Sequence, residues 1–316
     1  MANETSLGEP ILFYGGAVTL RFDKENHAYH LVLPDGTTEI QDGVTSISNI
    51  LDHSVYLMPW AVKMMYLKLL RTVPRWKMEG SDDEAVRPIS WPEFDQILQE
   101  AKSAHREHFE DASDVGNMAH SWIEESIKYA LKFTDGVVEK MHAVAPEDER
   151  AVNCGREAHK WMQRHNVRWR QTERKVYSRK WKYAGTMDGL ALVDSCDDPL
   201  CCQELFLDKL CVIDWKSSNH LRIEYLYQSA AYQNAHQEEF NEPVAARWIL
   251  RLGKEEGDFE SWYEVDFEKD FQTFLACLQL HRLHKEVEAR MRAAKKLKTF
   301  RKREAKKGKK NGRQTD

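Results

Sequence analysis

No stretch of the chain approaches the ~20 consecutive apolar residues that a membrane-spanning helix needs. Basic residues are missing from the first ten positions, which carry Glu4 and Glu9, so neither a secretory leader nor an Arg-rich transit peptide is expected there. The expected location is cytoplasmic, with no membrane partner. Cysteine spacing lacks order as well: Cys154, Cys196, Cys201, Cys202, Cys211 and Cys277 form no CxxC pair, and a chain of 316 residues does not depend on disulfides for a core. Reduced thiols are expected. A metal or iron–sulfur site built from Cys196, Cys201, Cys202 and Cys211 ranks below the plainer reading of buried or loop cysteines. Internal repeats are absent, and 42% hydrophobic with 31% charged residues excludes a disordered or fibrous chain.

What is present is a strong asymmetry of charge. Residues 285–316 hold 14 Lys and Arg against four Asp and Glu, a local charge of +10, so the overall −5 leaves −15 on residues 1–284. A basic tail on an acidic body suits a polyanion partner, and the body can gather carboxylates around a metal. The tail reads equally as a solvated helix end, or as a contact for a DNA-processing protein.

Apolar and polar residues alternate over 11–40, with breaks at 23–26 and 34–36, which predicts a small β-meander within residues 1–42. Three- and four-residue spacing predicts helices near 44–52, 57–71 and 92–110, with a loop at 72–92, and residues 43–113 are read as one helical region. A further helix is expected to open at Asp114 and run to Phe133, followed by another over 147–165. Residues 173–181 and 186–194 alternate strongly about a turn and predict an antiparallel hairpin. The mostly apolar run 209–216 predicts a central strand, and a helix at 222–240, strands at 244–252 and 259–266, and a long helix from 268 complete the chain.

The chemistry collects around that central strand. In Ile213-Asp214-Trp215-Lys216 the period of two points a carboxylate and an ammonium to one face, and such charges at the end of an apolar strand are costly unless used. Asp188, in Gly185-Thr186-Met187-Asp188, comes from a strand able to lie alongside. Two carboxylates beside one lysine make a site for a hard cation. His120 and Glu124 share a helical face at i and i+4, and an imidazole there could join the ligands, steadied by the carboxylate. Gln228 and Tyr232 share a face of the following helix and suit phosphate or base edges. Trp60, Trp76, Trp91, Tyr225 and Tyr227 are candidates for base stacking, whereas Trp122, Trp161 and Trp248 read as core.

The order His120, Gly185-Thr186-Met187-Asp188, Val212-Ile213-Asp214-Trp215-Lys216-Ser217-Ser218 and Gln228-x-x-x-Tyr232 resembles the PD-(D/E)xK nuclease superfamily. It is most similar to the RecB-like exonuclease branch, which includes the mitochondrial genome maintenance exonucleases and phage exonucleases. The resemblance covers about residues 114–240. It implies an α/β, restriction-endonuclease-like core with a mixed central sheet flanked by helices, here residues 114–284, preceded by a helical region able to arch over the active site. It further implies His120, Asp188, Asp214 and the Trp215 carbonyl as ligands of Mg²⁺ or Mn²⁺, Lys216 as the catalytic lysine, and Ser217, Gln228 and Tyr232 on substrate. Glu173 resembles an acidic position of relatives, and with Glu124 it is a supporting residue. Cluster-bearing members have three cysteines downstream, whereas only Cys277 lies beyond Tyr232, so an iron–sulfur cluster is not expected. The expected activity is metal-dependent hydrolysis of DNA from single-stranded ends, in replication, recombination or repair. A non-cleaving DNA-end-binding protein on the same fold and a PD-(D/E)xK endonuclease are the rivals.

Overall fold

The computed structural model describes residues 7–51, 54–73, 75–77, 84–86, 89–198, 201–202 and 206–311. Its first strands, Ile11–Phe13 (β1), Val18–Asp23 (β2), Ala28–Val32 (β3) and Thr38–Gly43 (β4), form the expected antiparallel meander. The short helix Val44–Ser48 (α1) follows β4 directly, and Ser54–Thr72 (α2) comes next. The segment read as a loop contains a two-stranded sheet, Arg75–Lys77 (β5) against Glu84–Val86 (β6). Three residues per strand are too few to show a period of two. Trp76 lies on β5.

The expected helix at 92–110 is two helices, Trp91–Lys102 (α3) and Ala104–Phe133 (α4), parted at Ser103. Asp114 therefore opens nothing: α4 is already ten residues long there, and the expected boundary at 113/114 falls inside it. The misreading has a physical cause. After the buried Ala104 the first three turns of α4 are mostly polar and exposed, so hydrophobic periodicity becomes visible only where Val115, Ala119, Ile123 and Ile127 turn into the core. Glu149–Arg164 (α5) leads into a long hairpin, Arg168–Ser178 (β7) and Tyr183–Val193 (β8). Then come Lys209–Lys216 (β9), Ile223–Phe240 (α6), Ala246–Leu252 (β10), Phe259–Glu264 (β11) and Phe267–Asn311 (α7). The boundary expected at 284/285 also lies within a single helix, α7. Among the described residues no helix is long and apolar enough to cross a membrane.

The fold is α/β, with a mixed nine-stranded sheet in the order β1-β2-β3-β4-β8-β9-β10-β11 and β7 on β8. Parallel pairs occur at β4–β8 and β9–β10. Helices cover both faces, which is why β9 is apolar on both. Cys211, Ile213 and Trp215 pack with Val115, Ile123 and Ile127 of α4 and Trp161 of α5, while Leu210 and Val212 pack with Ala231 of α6 and Phe274 of α7.

The meander is no separate body. β7 pairs with β8 from Tyr183 to Leu192 and so occupies one edge of β8. β9 and β4 must share the other edge, β9 at 189–193 and β4 at Tyr183 and Ala184. The stretch 185–188 between them has no strand partner on that edge. It is a fork in the sheet, and α1 sits beside it.

Arg247 on β10 is fully buried and ties this arrangement together, pairing with Asp270 of α7 and donating to Gln233 Oε1 of α6 (3.1 Å) and to the Asp266 carbonyl (3.1 Å). Arg247→Met leaves Asp270 and Gln233 without their donor, and is expected to cost about 3 kcal/mol. Urea unfolding should show the lowered midpoint, and a loss under 1 kcal/mol would remove Arg247 from this role.

Candidate active site

The fork positions the charged residues. The β8–β9 ladder ends at Gly189 with Ile213, one residue short of Asp188 and Asp214. Beyond it, the Trp215 N–H donates to Asp188 Oδ2 (2.9 Å), so a carboxylate takes the place of a strand carbonyl. Alternation breaks here too: Met187 and Leu190, three apart, pack into the same core. Opposite Asp188 in the register of β7 is Glu173, whose φ of 49° is rare for a residue with a side chain.

His120, Glu173 and Asp188 are brought together, with one ligand atom of each within 4.8 Å of the others. Glu173, expected only as support, thus belongs to the donor set. Asp214 stands beside it with Oδ2 on Lys216 Nζ (2.5 Å), as the period of two requires. Lys216 Nζ also lies 4.9 Å from the ring centre of Tyr225, which was expected to stack on bases. Glu124 lines the same groove and pairs with Lys128 (2.8 Å).

α4 reaches the fork because residue 116 is glycine. A Cβ there would run into Ser217 Oγ, just past the end of β9. The close approach makes a groove of about 360 Å³, lined by α4 residues including Asn117, His120 and Glu124, with Glu173 and Ser217 opposite. Ser113, Asn117 and Ser121 were missed by the sequence reading. Their spacing with Gly116, His120 and Glu124 is a polar helical stripe that could have revealed them.

Gln228 and Tyr232 share a face of α6 as expected, but both are buried. Gln228 Nε2 donates to Ser48 Oγ of α1 (2.8 Å). The Tyr232 ring packs on Gly185, where a Cβ would come within 2.7 Å of Cε1, and its side chain bonds Thr45 of α1. Tyr29 of the meander reaches Thr186 on the fork (2.7 Å). Of the other aromatic candidates, Trp91 is exposed, Tyr227 packs against the core on the α6–α7 side, and Trp60 meets His108 of α4 edge-on. Trp161 and Trp248 are core, as expected, while Trp122 is half-buried with its indole N–H on the His142 carbonyl (3.0 Å).

The electrostatics are those of a site short of positive charge. Burial lifts the Asp214 carboxyl to about 6, the Asp188 charge adds to this, and the Lys216 ammonium opposes it. Asp188 is raised by burial against Lys216 and the Trp215 N–H. Burial and the neighbouring Asp188 and Glu124 charges raise Glu173 to about 7. Burial and Lys216 push His120 down to about 4, which leaves the imidazole neutral and free to ligate at neutral pH. Burial pulls Lys216 down, but Asp214 and Asp188 outweigh it and hold its proton more firmly than usual. Two or three carboxylates and a neutral imidazole around one point are the donors a divalent cation of the Mg²⁺ or Mn²⁺ type takes, and the raised carboxyls are the strain it would relieve.

No protein-family model matches the chain, and no curated protein matches it.

Two predictions test this geometry. In the metal-free protein Glu173 is protonated below pH 4.5 whether folded or unfolded, and between there and about 7 only the unfolded chain releases the proton. Stability from this group therefore falls as pH rises through that window. Relative to the native chain, Glu173→Gln should gain on the order of 1–2 kcal/mol between pH 5 and 7 and nothing more above, read from urea midpoints. A pH-independent difference would show that neither burial nor neighbouring charge raises the Glu173 carboxyl.

Gly116→Ala should move α4 off β9 and weaken Mn²⁺ binding by roughly tenfold in calorimetry, since small displacements of a ligand are costly. Adding Ser217→Gly should recover most of the loss. Unchanged affinity in the single variant would mean that α4 does not set the position of His120.

Proposed function

We propose that the chain is a metal-dependent deoxyribonuclease, an exonuclease of the RecB-like branch of the PD-(D/E)xK superfamily on a restriction-endonuclease-like core. The observation that carries the reading is the convergence of His120, Glu173 and Asp188 next to the Asp214–Lys216 pair at a fork in a mixed sheet. Burying these charges costs stability, which an inert strand end has no reason to bear.

His120, Glu173, Asp188 and Asp214, with the Trp215 carbonyl, would hold Mg²⁺ or Mn²⁺. When bound, the ion supplies Lewis-acid polarisation of a phosphodiester and activation of water. Lys216 keeps its proton at neutral pH and so acts as a cationic donor for charge developing on the phosphate, and not as a base. Asp214 orients that ammonium through their 2.5 Å contact. Asn117 and Ser217, on the two walls of the groove, are placed to hydrogen-bond phosphate oxygens. Gln228 and Tyr232 act on substrate through α1, whose Thr45 and Ser48 they hold against the fork. Beyond residue 285 the run of Lys and Arg along α7 offers sequence-independent attraction for DNA. Replication, recombination or repair is the setting in which such an end-processing activity is used.

Lys216→Ala and Asp188→Asn should each lower kcat on the order of a hundredfold while DNA binding persists. The assay is a Mn²⁺ and Mg²⁺ time course on 5′- and 3′-labelled single-stranded, duplex and circular DNA. Shortening from ends with circles intact supports an exonuclease, and cleavage of circles supports the endonuclease. Binding without cleavage in the native chain would leave the end-binding reading.

A further inference from the structure

A second donor cluster lies away from the groove. His165, at the C-terminal end of α5, meets Cys196, Cys201 and Cys202 of the excursion between β8 and β9, with one donor atom of each within 4.8 Å of the others. Cys211, grouped with them on sequence, is not among them; its thiol faces the Lys209 carbonyl (3.4 Å). The ligand that sequence spacing could not supply is the histidine, 31 positions before the first of the three cysteines.

The spacings are those of a tetrahedral ion. Zinc bonds of ~2.3 Å to sulfur and ~2.05 Å to nitrogen put sulfurs about 3.8 Å apart, and sulfur about 3.6 Å from nitrogen. Cys196 Sγ lies 3.7 Å from Cys202 Sγ, and Cys201 Sγ lies 3.5 Å from His165 Nε2. The imidazole is oriented as a ligand is: fully buried, it places Nδ1 on the Asp194 carbonyl (2.9 Å). That bond assigns the proton to Nδ1 and leaves the Nε2 lone pair facing sulfur. The Asp194 N–H in turn donates to the His165 carbonyl (2.9 Å), and the Cys196 N–H donates to Cys202 Sγ (3.3 Å), a bond that a thiolate accepts well. Ordinary packing of small thiols requires none of these alignments.

We propose that His165, Cys196, Cys201 and Cys202 form a structural zinc site. Three soft sulfurs and one imidazole suit zinc over Mg²⁺ or Mn²⁺, and four protein donors leave no open position for chemistry. The site clips Cys196, Cys201 and Cys202, in the connection between β8 and β9, to the end of α5. It lies on the far side of the fork: four residues separate the Gly189–Ile213 pair from the Val193–Lys209 pair, about 14 Å along the strands. Its part is to hold the β8–β9 connection, and through it the relative setting of the strands that carry Asp188 and Asp214.

The test uses the full chain, purified from zinc-supplemented cells, passed over chelating resin, and analysed by plasma mass spectrometry. About one zinc per chain is expected. It should be lost in Cys196→Ser/Cys202→Ser and retained in Cys154→Ser, Cys211→Ser and Asp188→Asn/Asp214→Asn. Stripping the metal should lower Tm by roughly 10 °C. If the cysteine variant does not fold, the native chain decides: cobalt exchange should give tetrahedral thiolate bands at about 600–750 nm. No zinc and no cobalt bands, a Cys196–Cys202 disulfide in protein isolated under reducing conditions, or iron with acid-labile sulfide would each overturn the proposal. So would zinc lost only in the Asp188/Asp214 variant, which would move the ion to the groove. None of these outcomes bears on whether the groove cleaves DNA.

Discussion

The hydrogen bond from the Trp215 N–H to the Asp188 carboxylate is the contact on which the site depends. A β-ladder continued to this point would pair Asp188 with Asp214 and bring two buried carboxylates together in a closed sheet. The strands part instead, and the side chain of one satisfies the backbone of the other. This opens room for Glu173 from one side and His120 from the other. It also leaves the Asp214–Lys216 pair next to that donor set, where burial is deep enough to perturb both groups.

The rest of the architecture holds that fork open. β4 takes the edge of β8 that β9 relinquishes, and α1 follows it immediately. Gln228 to Ser48, Tyr232 on Gly185 and Tyr29 to Thr186 then brace the gap from the helix layer and from the meander. Just before the fork Asp42, the last acidic residue of β4, pairs with Tyr183 of β8 and is bound by Arg282 (2.9 Å) and Lys285 (2.5 Å) of α7. The first residue of the basic tail is therefore spent on structure. Residues 7–42 of the expected small β-meander are thereby part of the support of the site.

Burial on both faces explains why the polar groups can be so exact in position. The sheet centre is packed by α4 and α5 on one side and by α6 and α7 on the other. Arg247 and His165, each fully buried, are held by defined acceptors within those layers. Shifting a strand would break these bonds as well as the packing, so the residues of the candidate site inherit the rigidity of the core.

The sequence by itself determined what depends on local periodicity and composition. It foresaw the meander, the long hairpin, the mostly apolar strand at 209–216, and the placing of Asp214 and Lys216 on one face. These follow from periods of 2 and 3.6 and from residue chemistry, which act over a few positions. Tertiary structure alone decided the break in alternation at Asp188, the promotion of Glu173 into the donor set through a left-handed backbone, and the burial of Gln228 and Tyr232 against α1. It also replaced Cys211 by His165 in the cysteine cluster and joined α4 across the point where a helix was expected to begin. Each depends on contact between segments distant in the chain, or on which side of an element meets the core, and neither quantity leaves a local pattern in the order of residues.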